Sequence, residues 1–178
     1  MSLSGRSKRV LLTVREIVLF AMLGTLMFTS KILLEILPNI HLLATFTTVY
    51  TVVFRKKALI PIYVYVLLNG LWSGFSMWWL PYTYIWTLLW AAVMLLPKNM
   101  PSKVAPVVYC AVCGLHGILF GTLYAPAQAL MFGLSFRQTL LWIAAGFPWD
   151  VVHAVGNLAA GLLICPLINV LKKAESFR

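Results

Sequence analysis

The sequence predicts an all-α integral membrane protein, a bundle of six transmembrane helices with both termini in the cytoplasm. Three observations support this prediction: the hydrophobic composition, the spacing of the apolar runs and the distribution of basic residues. Of the 178 residues, 62% are hydrophobic and 10% are charged, whereas an ordinary soluble domain is about 45–50% apolar and about 25% charged. A soluble fold of this length would leave much of that apolar surface in contact with water.

Apolar runs follow one another along the chain and are separated by short polar turns. A helix needs about 20 residues to cross the hydrocarbon core of a bilayer. Pro38 ends the first run, and residues 55–57 and 97–103 form polar turns. The stretch 125–138 has two interpretations, an extension of the fifth run or a short helix at the outer surface. The predicted spans are 16–37, 40–54, 58–72, 80–96, 104–124 and 149–171.

The basic residues predict the orientation of the bundle. With the N-terminus in the cytoplasm, every basic turn and both termini lie inside, and only Lys31 and Arg137 of the fourteen Lys and Arg residues lie outside. Cytoplasmic loops carry such an excess of basic residues. An odd number of spans would place the two basic termini on opposite sides. The net charge of +10 is therefore assigned to the membrane surface, and no nucleic-acid partner is predicted.

The chain is predicted to form one domain with two short extensions. Residues 1–15 are a basic cytoplasmic arm, residues 16–173 a six-helix transmembrane domain, and residues 174–178 a cytoplasmic tail. No cleavable signal peptide is expected, because the first apolar run is too long. The three cysteines lie in apolar stretches and are interpreted as packing residues, since a structural zinc site needs four ligands. Neither a metal site nor a nucleotide-binding loop is predicted.

The densest group of polar residues opens the sixth predicted span. Asp150, His153 and Asn157 stand at i, i+3 and i+7, so they share one helical face. Ionisable residues within a span are functional candidates by default. The three side chains could bind a polar ligand, or they could bond to each other and to neighbouring helices. Asp150 has a second interpretation as a helix cap.

Further candidates lie at the outer ends of the spans. Lys31 and Glu35 have the four-residue spacing of an ion pair. Asn39 and His41 either line a site or satisfy backbone groups where the second span begins. Arg137 could meet an acidic group of a ligand or a lipid phosphate. The outer aromatic residues predict either interfacial anchors or a lid over a ring-bearing ligand; they are Trp72, Trp78, Trp79, Tyr82, Tyr84, Trp86 and Trp149.

Together these features resemble the substrate-binding S component of an energy-coupling-factor (ECF) vitamin transporter. The resemblance covers residues 15–173 and is most specific in Pro38-Asn-Ile-His41 and in Phe147-Pro-Trp-Asp-Val-Val-His-Ala-Val-Gly-Asn157. It implies a vitamin or related micronutrient bound at an outward-facing pocket, with no covalently bound cofactor and no catalysis by this chain. It also implies a prokaryotic plasma membrane and, as partners, a transmembrane scaffold subunit and two cytosolic ATPase subunits.

The resemblance further implies a docking face on the first span, where the family carries an Ala-x-x-x-Ala pattern. The nearest match is Ala21 and Thr25, with Gly24 beside them, so the second position departs from Ala. Cobalamin is the leading ligand expectation because the outer loop is rich in Trp. Queuosine precursors, pyridoxine-like and pyrimidine-like vitamins, pantothenate and folate are alternatives.

Two other classes of function are considered beside the capture subunit. An intramembrane enzyme would use Asp150 and His153 as a general acid–base pair. A structural or channel subunit would carry a continuous polar stripe through the membrane, whereas the polar residues here concentrate at the outer end.

Overall fold

The computed structural model describes residues 12–176, and this part of the chain contains helices and turns but no strand. The prediction of an all-α protein is confirmed. Two short 3-10 helices occur at Arg55–Ala58 and Met77–Trp79. The α-helices are α1 (Val14–Leu33), α2 (Leu43–Phe54), α3 (Leu59–Ser73), α4 (Tyr82–Met94), α5 (Ala105–Ile118), α6 (Phe120–Phe132), α7 (Phe136–Gly161) and α8 (Ile164–Ser176).

The boundaries of α1 differ from the predicted first span at both ends. The hydroxyl of Thr13 accepts a hydrogen bond from the backbone N–H of Glu16, and the Glu16 carboxylate accepts one from the N–H of Thr13. This capping box starts the helix inside the predicted arm. The helix ends at Leu33, so residues 34–42 form an irregular segment before α2. Residues 1–11 of the arm and 177–178 of the tail lie outside the described residues.

One end of the bundle gathers the basic turns, and we name it the basic end. Lys57 forms an ion pair with Glu16 at 2.6 Å, which joins the turn after α2 to the start of α1. Arg55 adopts a positive φ of 53°, a conformation that is uncommon for a residue with a side chain. Its guanidinium donates to the carbonyl of Met94 at 2.9 Å, and its own carbonyl accepts from the indole of Trp90 at 3.1 Å. These bonds hold the reversal between α2 and α3.

The opposite end carries most of the tryptophans, and we name it the aromatic end. It comprises segment 34–42, the loop 74–81, helix α6 and the first half of α7. The Tyr84 hydroxyl donates to the carbonyl of Leu123 at 2.7 Å, and the Tyr124 hydroxyl donates to the carbonyl of Trp78 at 2.8 Å. The first bond connects α6 to α4, and the second connects α6 to the loop before α4.

Helices α6 and α7 correct the prediction for the last third of the chain. The ambiguous stretch extends the fifth run as α6, which ends at Gly133 in the left-handed conformation, a common helix terminator. Helix α7 begins at Phe136 behind a Ser135–Gln138 capping box, well before the predicted start near Trp149. Asp150 therefore lies within the helix, and its interpretation as a cap is wrong.

The apolar surface is consistent with a membrane location. Helix α1 and the continuous run Ala105–Phe132 are each long and apolar enough to cross a bilayer. Helices α7 and α8 are bent by 49° relative to each other, and they give a third such span if the two are counted as one broken helix. Large apolar side chains on α1 are exposed, among them Val14 at 77% and Met22 at 66%. Helices α2, α3 and α4 have 12, 15 and 13 residues, shorter than the span of about 20 residues. The count of six spans and the side of each terminus stay predictions.

Candidate functional site

A cavity of about 170 Å³ lies at the aromatic end, between segment 34–42 and helices α4, α6 and α7. Leu34, Leu37 and Ile40 of the segment and Phe120 of α6 form much of its apolar wall. Sequence reasoning had identified every polar residue of its lining. These polar residues are Lys31, Glu35, Asn39, His41, Tyr82 and His153.

Edge-on and tilted rings form the floor of this cavity. The rings of His41 and His153 lie 4.6 Å apart between centroids, and Phe120 lies 4.7 Å from His153. Beneath them Trp86 is 1% exposed, with its ring centroid 5.8 Å from His41 and 5.6 Å from His116. Aromatic rings at these distances attract each other beyond their area of burial. The floor is therefore a packed surface with defined ring positions.

All three histidines of the chain meet in this region. The Nδ1 atoms of His41 and His116 and the Nε2 atom of His153 are buried without a hydrogen-bond partner among the described residues. Buried polar atoms in native proteins are rarely left without a partner, and a neutral imidazole offers one donor and one acceptor. In the described part of the chain, no three His, Cys, Asp or Glu side chains are arranged to hold a metal ion. His41 and His153, which line the cavity, have ring nitrogens available to hydrogen-bond a polar ligand.

Burial determines the charge of the histidine in segment 34–42. It lowers the pKa of His41 from 6.5 to about 4, with smaller contributions from the positive charges of protonated His116 and of Lys31. His41 is consequently neutral at pH 7. A neutral ring can accept a hydrogen bond from a ligand as well as donate one.

The ion pair predicted at the outer end of α1 is confirmed and lies at the mouth of the cavity. The Lys31 ammonium is 2.9 Å from the Glu35 carboxylate, and the Glu35 side chain is 57% exposed. Such an exposed pair stabilises a fold by about 0–1 kcal/mol. Its charges cancel, so the mouth presents donors and acceptors without a net charge.

Asp150 and Asn157 share a helical face with His153, as the spacing predicted, but neither lines the cavity. The Asp150 carboxylate accepts a hydrogen bond from the backbone N–H of Gly121 at 3.0 Å. The Asn157 amide donates to the carbonyl of Cys113 at 3.0 Å. Of the two interpretations of this face, bonding to neighbouring helices holds for Asp150 and Asn157. His153 alone reaches the cavity.

Most of the predicted outer aromatic residues are placed outside the cavity. The Trp79 indole donates to the carbonyl of Val66 at 2.8 Å and packs the loop onto α3. Trp78 packs edge-on against Tyr82 with centroids 5.7 Å apart, so it supports the one outer aromatic residue that lines the cavity. Trp149 is 56% exposed, although its carbonyl accepts a long 3.5 Å bond from Asn39. The aromatic lid is therefore not assembled in this conformation.

Asn39 and His41 do not cap α2, and Arg137 lies away from the cavity. The residue that caps α2 is Leu42, without any side-chain hydrogen bond, so the interpretation of Asn39 and His41 as backbone-satisfying groups at that helix start is wrong. Arg137 is exposed near the start of α7 and is absent from the cavity lining.

The predicted docking residues divide between two surfaces of α1. Ala21 and Thr25 are exposed on one face, and the Thr25 hydroxyl donates to the carbonyl of Ala21 at 2.9 Å. Gly24 instead faces α3, where a Cβ atom would lie 2.5 Å from the Val64 side chain and 2.8 Å from the carbonyl of Pro61. Gly24 therefore serves the α1–α3 contact, and its assignment to a docking face is corrected.

Sequence reasoning missed two residues of this region, His116 and Phe120. His116 is an ionisable residue inside an apolar run, and the default functional interpretation of such residues would have identified it. Phe120 carries no comparable signal, because aromatic residues are abundant throughout the chain. No family model, curated protein or solved structure matches this chain.

Proposed function

We propose that this chain is a substrate-capture subunit, the S component of an ECF-type importer in a prokaryotic plasma membrane. In this proposal it has six spans and both termini in the cytoplasm, and it delivers a micronutrient to a scaffold subunit driven by two ATPases. The observation that carries the proposal is the cavity at the aromatic end, whose floor holds unpartnered imidazole nitrogens. Buried polar atoms without partners are suited to a ligand that supplies complementary groups.

The interior beneath the cavity supports capture over conduction. Leu89 and Val93 of α4 are 1% exposed, and Val49 of α2 is 2% exposed. These residues belong to one apolar core between the two ends of the bundle. A channel needs a continuous path of polar groups. A cavity that is closed on its inner side by an apolar core is better suited to a binding subunit.

The lining indicates a ligand with an aromatic or flat ring and polar edges but little net charge. Phe120 and Tyr82 offer apolar ring faces, and the Lys31–Glu35 pair has no net charge. Ligand pockets usually measure about 300–1,000 Å³, so a cavity of about 170 Å³ favours a one- or two-ring compound. Cobalamin, the ligand suggested by the family resemblance, requires segment 34–42 to move away from the cavity.

An intramembrane enzyme is less well supported by the same geometry. Its acid–base pair would need a hydrogen bond between Asp150 and His153 or a shared substrate position. The Asp150 carboxylate instead accepts from the Gly121 backbone, and it is absent from the cavity lining.

A vitamin panel on the purified protein tests the capture proposal. The panel contains cobalamin, pyridoxine-like and pyrimidine-like vitamins, pantothenate, folate and queuosine precursors. A ligand present at 100 times its Kd stabilises the folded state by about 2.7 kcal/mol. For a chain of this length, the Tm then rises by roughly 5–11 °C. If no member of the panel raises the Tm, the proposal is rejected.

The site assignment is tested with a matched pair of α7 variants. His153→Ala removes an imidazole from the cavity floor and is expected to lower ligand affinity at least tenfold. Val155→Ala shortens a side chain that is 61% exposed on the same helix and should leave the affinity unchanged. Equal affinities for both variants would place the ligand elsewhere.

A further inference from the structure

A second cavity, of about 420 Å³, lies at the basic end, away from the candidate ligand site. It is enclosed by α2, the turn between α4 and α5, the start of α5, and α8. Its lining is rich in hydrogen-bond donors. The polar residues are Lys98, Asn99, Ser102, Tyr109, Asn169 and Lys172.

Among residues 12–176, no acidic side chain lines this cavity beside its two lysines. Glu35 and Glu16 are paired elsewhere, with Lys31 and Lys57. Lys98 and Lys172 therefore contribute two positive charges to the cavity wall. Ala105, the first residue of α5, also lines it, so the positive end of that helix dipole adds to the field.

Tyr109 gives the cavity a buried polar wall. The residue is 4% exposed and lines the cavity. Ammonium, amide and hydroxyl donors around a positive field are the set that binds phosphate oxygens.

We propose that this cavity binds a phosphate group, carried either by the headgroup of an anionic lipid or by a free phosphate compound. The cavity lies beside the basic turns, and basic pockets between helices at a membrane surface bind anionic headgroups. The apolar residues Val52 and Ile168 also line the cavity and suit the first carbons of a lipid. This site is independent of the capture function proposed for the aromatic end.

Two double variants with the same loss of charge test the site. Lys98→Gln/Lys172→Gln removes both ammonium groups of the cavity. Arg15→Gln/Lys56→Gln removes two exposed charges of the same end that do not line the cavity. Each protein is purified in neutral detergent with equal amounts of phosphatidylglycerol and phosphatidylcholine, and native mass spectrometry measures the retained lipid.

The wild type and the Arg15→Gln/Lys56→Gln control are expected to retain phosphatidylglycerol in preference to phosphatidylcholine. The cavity variant should lose about tenfold or more of this preference, because it lacks the two ammonium groups that line the cavity and would contact the phosphate, whereas the control charges lie outside it. Asn169→Leu removes an amide without changing the charge and should also weaken retention. An equal loss in both double variants would mean that the attraction is a diffuse surface effect and would overturn the proposal.

The source of the phosphate is resolved by a second measurement. Inorganic phosphate is titrated into lipid-free protein in neutral detergent while the Tm is followed. Stabilisation of the wild type but not of the cavity variant identifies a free phosphate compound. Selective retention of phosphatidylglycerol without an effect of inorganic phosphate identifies a lipid headgroup. If neither probe distinguishes the cavity variant from the control, no phosphate site exists there.

Discussion

The contact between Gly121 of α6 and Asp150 of α7 can be tested by adding one methyl group. The backbone N–H of Gly121 donates to the Asp150 carboxylate at 3.0 Å. A Cβ atom on Gly121 would lie 2.5 Å from Oδ2 and 3.2 Å from Cγ and Oδ1 of the same side chain. Gly121→Ala therefore forces the carboxylate to move, and the hydrogen bond is lost or stretched.

The expected cost of Gly121→Ala follows from two destabilising contributions and one stabilising contribution. Losing the partner of a buried polar group costs about 1–3 kcal/mol, and crowding a packed contact adds about 1–3 kcal/mol. Alanine favours a helix over glycine by up to about 1 kcal/mol. The net destabilisation is about 1–5 kcal/mol, and a value of about 2 kcal/mol lies in this range. For a chain of this length, 2 kcal/mol lowers the Tm by about 4–8 °C.

The assay is thermal unfolding of the purified protein in one detergent, with Gly146→Ala as the matched control. Gly146 lies in α7, the helix of Asp150, and a Cβ atom there would have no heavy atom within 4 Å. The control should unfold at the wild-type temperature or slightly above it, because only the helix preference changes. A Gly121→Ala protein as stable as Gly146→Ala would refute the assignment of Asp150 as the link between α6 and α7.

Three further predictions concern α1 and segment 34–42. Gly24→Val should prevent the close approach of α1 to α3 and lower the Tm more than Gly121→Ala does. Ala21→Trp, on the exposed face of the same helix, should leave the Tm and ligand binding unchanged but block assembly with a scaffold subunit; intact assembly would place the docking face elsewhere. Because burial lowers the pKa of His41 from 6.5 to about 4, the unfolded chain gains a proton first on acidification. The free energy of unfolding therefore decreases as the pH falls below 6.5. Between pH 7 and pH 5, the Tm of the wild type should fall further than the Tm of His41→Gln.

The sequence by itself determined the helical class, the basic and aromatic character of the two ends, and the polar residues of the cavity lining. These features depend on composition and on local spacing. The Lys31–Glu35 pair was predictable because residues four apart on a helix are neighbours whatever the rest of the fold does. The shared face of Asp150, His153 and Asn157 was predictable for the same reason.

Only the tertiary structure decided what each member of that face contacts. Asp150 bonds to the Gly121 backbone, Asn157 bonds to the carbonyl of Cys113, and His153 points into the cavity. The neighbours of α7 come from segments far away in the sequence, so the periodicity of α7 could not distinguish these roles. The start of α7 was also missed, because the capping box at Ser135 lies in a stretch where the hydropathy signal is weak. The position of His41 against His153 required the irregular segment 34–42, whose path depends on the packing of the helices around it.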